Sequence, residues 1–227
     1  MHWLQTLDIN LFFFVNRSLV NPFFDWLMPI LSGNVFFFPA LFLLGLGMLW
    51  KGNLRARLCV LMLLLIMPPG DAFVTNTLKH TIARPRPFVT LPEARVFGTV
   101  GKGYVPPQVD SNGVDMSGNK GSRNSMPSSH ASNWFAATMV LFLFYRKSIR
   151  FMLPLALAVA LSRVYNGVHY PSDVLAGAII GAGYAAAAAI AIESAWQSAG
   201  KKWFPLWHAK LPVLVPNLKI GNSQSVE

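Results

Sequence analysis

The sequence predicts an all-α protein, a polytopic bundle of transmembrane helices preceded by helices at the membrane interface. Three observations predict this class. Of the 227 residues, 53% are hydrophobic and only 12% are charged, which is about half the charged share of a soluble domain. Long stretches carry almost no charge, and with their flanks each approaches the ~20 residues that cross a bilayer. Basic residues collect in the short segments between these stretches, as they do in cytoplasmic loops.

The chain opens with a region that is less uniformly apolar. Within residues 1–32, Arg17, Asn21-Pro22 and Asp25 interrupt the apolar residues. This pattern predicts two short amphipathic helices that lie at the interface. A sixth span in this region is the alternative.

The uncharged stretches predict five spans, at 33–50, 58–79, 130–146, 149–165 and 173–195. Basic residues follow the first, third and fifth spans, so the positive-inside rule places those ends and the tail 196–227 in the cytoplasm. Two connections then face outward, at 80–129 and 166–172. We expect one integral membrane domain over residues 1–227, with the helical bundle at 33–195.

Gly177 and Gly181 on the fifth span have the spacing of a small-xxx-small motif. Such a motif lets two helices approach closely. We interpret it as packing within the bundle, with a dimer contact as the alternative. The sequence does not predict an oligomeric state.

Charge and cysteine content exclude other classes of protein. The chain has 19 Lys and Arg against 9 Asp and Glu, a net charge of +10, which in a soluble protein would suggest nucleic-acid binding. Here the cations divide between loops beside lipid headgroups and one outward cluster, so no nucleic-acid partner is expected. A single cysteine, Cys59, allows neither an intramolecular disulfide nor a cysteine metal cluster.

Three polar clusters fall at the outward ends of the spans: 79–87, 125–131 and 162–173. Taken alone, each cluster can be explained without a function. Cations at the interface extend their charged ends to water, and serines cap helices. Together they place several cations, two histidines, hydroxyls at a helix start and one carboxylate on one face of the bundle. Ionisable groups at spans are costly and therefore candidates for function.

Such a set suits phosphoryl transfer through a histidine. Lysine and arginine neutralise the phosphate oxygens, and one histidine attacks phosphorus. A carboxylate orients that ring. The second histidine protonates the leaving oxygen and then activates water.

The three clusters together resemble the signature of the type 2 phosphatidic acid phosphatase family, which shares its site with vanadium haloperoxidases. Lys79 precedes Arg86-Pro87 by the spacing that is found in the family. The family's Pro-Ser-Gly-His becomes Pro127-Ser128-Ser129-His130, with serine in place of glycine. Ser162-Arg163, His169 and Asp173 keep both family spacings.

The resemblance implies a role for each matching residue. His169 would be the nucleophile, Asp173 its orienting partner and His130 the general acid and base. The phosphate would be held by Lys79, Arg86, Arg163, Ser128 and the backbone N–H of Ser129. Arg84 lies outside the motif; a second phosphate or a headgroup is one assignment, and simple snorkelling is the other. The family uses no metal, so no cofactor is expected.

These observations predict a metal-independent lipid phosphatase of the bacterial cytoplasmic membrane, with its site facing the periplasm or exterior. Its substrate would be a membrane lipid: a polyprenyl pyrophosphate first, or a phosphatidylglycerol phosphate, a phosphatidic acid or a lipid A phosphate. A lipid phosphotransferase with the same residues is one alternative. An anion transporter is another, although the ionisable groups do not line a path across the bilayer.

Overall fold

A computed structural model of the chain describes residues 2–98, 103–107 and 123–218. Before the outward loop the helices are α1 (His2–Phe13), α2 (Pro22–Ser32), α3 (Asn34–Trp50), α4 (Leu54–Pro69) and α5 (Asn76–Ile82). The loop carries α6 (Pro87–Thr90) and an antiparallel hairpin of β1 (Val96–Gly98) and β2 (Gly103–Val105). The remaining helices are α7 (Ser129–Phe144), α8 (Ile149–Tyr165), α9 (Pro171–Ala195), α10 (Lys201–Trp203) and α11 (Pro205–Lys210). Single π-helical turns extend α1 at Phe14–Ser18, join α4 to α5 at Gly70–Thr75, and follow α9 at Trp196–Gly200.

Within the described residues, three helices are long and apolar enough to cross a membrane: Leu54–Ile82, Arg146–Tyr165 and Pro171–Trp203. They coincide with the predicted spans 58–79, 149–165 and 173–195. The other two predicted spans also coincide with helices, α3 of 17 residues and α7 of 16. Both are shorter than a typical crossing helix, so a count of five spans stays a prediction.

The N-terminal region forms two helices, as its sequence pattern predicts, but they pack on the bundle. Phe12 on α1 is fully buried beside Val164 and Tyr170. The side chain of Asn16 donates hydrogen bonds to the backbone carbonyls of Arg95 and Tyr165, each at 2.8 Å. The first helix therefore reaches the same end of the bundle as the 166–172 loop.

The central contact of the bundle joins α7 to α9. A Cβ on Gly177 would lie 2.5 Å from the carbonyl oxygen of Ser128, and one on Gly181 would overlap the carbonyl of Ser132. Only glycine allows this separation of the helices. The prediction that these two glycines pack within the bundle is confirmed.

The part of the C-terminal tail that the structure describes folds back onto the bundle. The carboxylate of buried Glu193 on α9 accepts hydrogen bonds from the backbone N–H groups of Leu214 and Val215, at 2.9 and 2.8 Å. Val215 is fully buried in the same core cluster as Phe144. The sequence predicts only an extension here, because nothing local marks residue 215 as a core position.

Candidate active site

The first predicted cluster lies where α5 ends and the chain turns. Lys79 stands in the last turn of α5 and is 6% exposed, and Arg86 is 7% exposed. Ala83 between them has a left-handed backbone, with φ of 48°, which ends the helix and reverses the chain direction. That conformation is strained for a residue with a Cβ. The turn brings Arg86 back towards the end of the helix that carries Lys79.

The third cluster forms a short buried loop between α8 and α9. Gly167 has φ of +76°, and a Cβ there would overlap the carbonyl of Arg95, so this turn requires glycine. His169 is 2% exposed and Asp173 is fully buried. The distance from Nδ1 of His169 to Oδ2 of Asp173 is 3.6 Å. This distance is longer than a hydrogen bond.

Asp173 belongs to a capping box at the start of α9. Its Oδ2 atom accepts a hydrogen bond from the backbone N–H of Tyr170 at 2.8 Å. The backbone carbonyl of Asp173 accepts from the N–H of Ser128 at 3.0 Å. This second bond ties the start of α9 to the start of α7, which carries His130.

The structure brings both histidines and the three predicted phosphate-binding cations together. His130 lies within the electric field of Lys79, Arg86, Arg163 and the His169 ring. The same three cations act on His169. Side chains from three separate clusters of the sequence therefore share one buried region.

The serines and cations have local partners that are mostly uncharged. Lys79 donates through Nζ to the hydroxyl of Ser129 at 3.0 Å, and Arg163 donates through Nη1 to the hydroxyl of Ser32. Arg86 donates through Nη1 to the carbonyl oxygen of Val168 at 3.2 Å.

Three polar atoms of this region are buried without a hydrogen-bond partner among the described residues: Oγ of Ser128, Nε of Arg163 and Nδ1 of His169. Buried polar atoms are nearly always hydrogen-bonded. Nδ1 of His169 faces the Asp173 carboxylate. The other two atoms, beside several cations, fit a site for an anion with several acceptor oxygens.

The His169 ring is in an environment that favours its neutral form. Burial, followed by the positive charges of Arg86, Arg163 and Lys79, lowers the pKa of His169 well below its ordinary value. A neutral imidazole has a free lone pair at neutral pH, as a nucleophile requires.

Arg84 lies beside the site between two carboxylates. Its Nη2 atom donates to Oδ2 of Asp8 at 2.7 Å, and its Nη1 atom donates to Oδ1 of Asp173 at 2.8 Å. Burial lowers the pKa of Arg84, but the hydrogen bonds and charges of Asp8 and Asp173 outweigh it and raise the pKa above its ordinary value. The prediction that Arg84 binds a second phosphate or a headgroup is untested by this arrangement.

Two residues near the site escaped the sequence analysis. Asp8 and Ser32 belong to the N-terminal helices, far along the chain from the clusters that they contact. Asp8 is the only carboxylate in α1, and its acidic character in an apolar helix is the one signal that could have drawn attention to it. Among the described residues, no three His, Cys, Asp or Glu side chains form a metal-ligand set.

Residues 56–197 match the profile of the PAP2 superfamily, a range that contains all three clusters. The chain is 30% identical over 189 residues to the lipid A 4'-phosphatase of Bacteroides thetaiotaomicron, covering 80% of this chain and 75% of that protein. It is 30% identical over 181 residues to the bacitracin transport permease protein BcrC of Bacillus licheniformis, covering 77% and 75%.

A solved structure shares the fold. It is a transmembrane PAP2-type phosphatidylglycerolphosphate phosphatase from Bacillus subtilis, with a TM-score of 0.57 at 21% identity. The match covers 86% of this chain and 88% of the other. At this identity the likeness supports the fold alone.

Proposed function

The chain belongs to the PAP2 superfamily, and on that premise we propose that it hydrolyses a phosphate ester or pyrophosphate of a membrane lipid through a phosphohistidine. One observation carries the proposal. His130 and His169 share a buried region with the charges of Lys79, Arg86 and Arg163. Two imidazoles within one basic pocket supply both a nucleophile and a proton donor for phosphoryl transfer.

The pocket is suited to a phosphate dianion. Lys79 and Arg163 hydrogen-bond to neutral hydroxyls of Ser129 and Ser32. Buried cations with neutral partners gain when an anion enters. The oxygens of the phosphate would also accept from the Ser128 hydroxyl, which is buried and unsatisfied.

The first chemical step forms a bond between phosphorus and a ring nitrogen of His169. As that bond forms, the bond from phosphorus to the leaving oxygen breaks. His130, protonated once the bound phosphate dianion offsets the surrounding cations, gives the leaving oxygen its proton. The ring gains positive charge, which the carboxylate of Asp173 stabilises across 3.6 Å. A shortening of that distance on substrate binding would make it a hydrogen bond.

The second step returns the enzyme to its starting state. His130, now neutral, takes a proton from water while the water oxygen attacks phosphorus. The bond from phosphorus to His169 breaks, and inorganic phosphate leaves. If another lipid hydroxyl replaced water, the same residues would perform phosphotransfer.

Two further parts of the proposal concern the substrate and the membrane. The family and its relatives include proteins named for different lipid phosphates, so the class we propose is a lipid phosphate or pyrophosphate, with polyprenyl pyrophosphate to be tested first. Basic residues such as Lys51 and Lys147 lie at the ends of the spans opposite the site. By the positive-inside rule the site then faces the periplasm or the exterior of a bacterial cytoplasmic membrane.

The test measures phosphate release by the detergent-solubilised protein in the presence of a chelator. The substrates are a polyprenyl pyrophosphate, a phosphatidylglycerol phosphate, a phosphatidic acid and a lipid A phosphate. We expect turnover on at least one of them and an acid-labile phosphoenzyme in quenched reactions. His169→Ala should abolish both, because the covalent step is lost.

His80→Ala is the matched control. His80 is exposed and lies on the same helix as Lys79, outside the pocket, so its loss should leave turnover unchanged. Hydrolysis that persists in His169→Ala, or that disappears with the chelator, would overturn the proposed mechanism.

A further inference from the structure

Asp8 connects the N-terminal helix α1 to the start of α9. The side chain is 8% exposed. Its Oδ1 atom accepts from the backbone N–H of Ser172 at 2.9 Å, and its Oδ2 atom accepts from the Ser172 hydroxyl at 2.5 Å. A carboxylate at a helix N-terminus is favourable because free N–H groups point towards it.

Arg84 continues this connection to the carboxylate that faces His169. Its Nη1 atom donates to Asp173 at 2.8 Å and to the Ser172 hydroxyl at 2.6 Å. The guanidinium carbon lies 3.9 Å from the centre of the Tyr170 ring, which is a cation–π contact. Two carboxylates, one hydroxyl and one ring therefore hold the guanidinium in place.

The charges of Asp8, Arg84 and Asp173 together determine the net charge beside the His169 ring. Arg84 alone would neutralise Asp173 and leave little negative charge to stabilise a positively charged imidazole. Asp8 supplies a second carboxylate, so the three groups together carry one net negative charge. The geometry also assigns each oxygen of Asp173, because Oδ1 binds Arg84 while Oδ2 lies on the side of His169.

We propose that Asp8 and Arg84 are positioning residues for the phosphatase reaction, holding Asp173 in its orientation and restoring the negative charge that His169 needs. This inference rests on the proposed function. The proposed role makes α1 necessary for full activity, although α1 lies outside the residues 56–197 that match the family.

The competing assignment for Arg84 is contact with a second phosphate or headgroup. A cavity beside the guanidinium is lined by Gln5, Ile9, Leu91 and Tyr170, so a ligand could approach from that side. The two assignments differ in their kinetic signature. A ligand contact affects the KM of the substrate that carries the extra phosphate, whereas a positioning role lowers kcat for every substrate.

The experiment measures kcat and KM of Asp8→Asn and Arg84→Gln on a lipid monophosphate and a lipid pyrophosphate. We expect kcat to fall about tenfold or more on both substrates, with KM nearly unchanged. The double variant should be little worse than either single one, because both act through Asp173. Arg17→Gln is the matched control, since Arg17 pairs with Glu93 in an exposed salt bridge of the same N-terminal region, and its kcat should not change.

Thermal unfolding in detergent shows whether each variant is folded. If Asp8→Asn does not fold, Arg84→Gln tests the charge role, and Ser172→Ala tests the positioning role. Ser172→Ala removes the hydroxyl that bridges Asp8 and Arg84 but keeps both charges and their direct contact, so we expect a smaller drop in kcat on both substrates; wild-type kcat in both variants would overturn the inference. Wild-type kcat in the folded Asp8 variant would overturn the inference. So would an Arg84 effect confined to KM for the pyrophosphate.

A control in the same assay distinguishes failure of the positioning role from failure of the proposed phosphatase function. His169→Ala is measured in the same assay. If that variant stays active, the proposed function fails. If it is inactive while the Asp8 and Arg84 variants keep wild-type kcat, only the positioning role fails.

Discussion

Replacement of Asp173 by asparagine tests the central charge interaction of the site. The substitution keeps the size of the side chain and its place in the first turn of α9, but it removes the negative charge opposite His169. The two partners are 2% and 0% exposed, and 3.6 Å separates Nδ1 from Oδ2. Solvent therefore screens this pair very little.

The distance sets the scale of the effect. Two unit charges 3.6 Å apart interact by about 5 kcal/mol at an effective dielectric constant of about 20. If that energy is present only when the ring carries positive charge, its loss lowers kcat by about three orders of magnitude. Arg84 binds the same carboxylate and offsets part of the interaction, so this figure is an upper limit.

The assay follows phosphate release and phosphoenzyme formation by wild type and Asp173→Asn under identical conditions. The matched control is Asp25→Asn, which removes an aspartate that pairs with Arg95 and accepts from the hydroxyl of Tyr165. We expect the control to keep its kcat. A folded Asp173→Asn protein with kcat within about fivefold of wild type would refute the reasoning, because the carboxylate would then contribute almost nothing to the transition state.

Three further predictions concern the phosphate pocket and the packing that supports it. Ser128→Ala should lower kcat/KM about tenfold through loss of a hydrogen bond to a charged group, whereas Ser129→Gly, which keeps the backbone N–H, should stay near wild type; equal losses in kinetic assays would contradict this. Glu193→Gln should destabilise the protein by about 1.5–3 kcal/mol, because the carboxylate accepts charge-assisted hydrogen bonds; an unchanged melting temperature would argue against it. Gly181→Ala should lower the melting temperature because its Cβ would overlap the Ser132 carbonyl, and a protein as stable as wild type would show that α7 and α9 can separate at little cost.

The predictions that succeeded rest on local features of the sequence. Long uncharged stretches predict helices at 58–79, 149–165 and 173–195, because a helix satisfies its own backbone groups in lipid. The spacing from Lys79 to Arg86 and from Arg163 to Asp173 likewise identifies the family. In each case the signal is a continuous apolar stretch or a motif whose residues lie within a dozen positions of one another.

The features that the sequence did not predict depend on contacts between distant segments. Asp8 lies 76 residues from Arg84 and 164 from Ser172. Val215 is a core residue, and the carboxylate of Glu193, 22 residues earlier, binds its backbone N–H. No local pattern encodes such contacts, since they follow from how helices pack rather than from neighbours in the chain.

The amino-acid order by itself determined the membrane-helix class and the family, because hydropathy and motif spacing are properties of the linear chain. The roles of the histidines and cations stay a prediction from the same motifs. Tertiary structure alone decided that Arg84 lies between two carboxylates and that Asp8 on the first helix contacts Arg84 and Ser172 beside the candidate site. The physical reason is that a buried guanidinium takes whichever partners the packed helices bring within hydrogen-bond distance, and that distance exists only after folding.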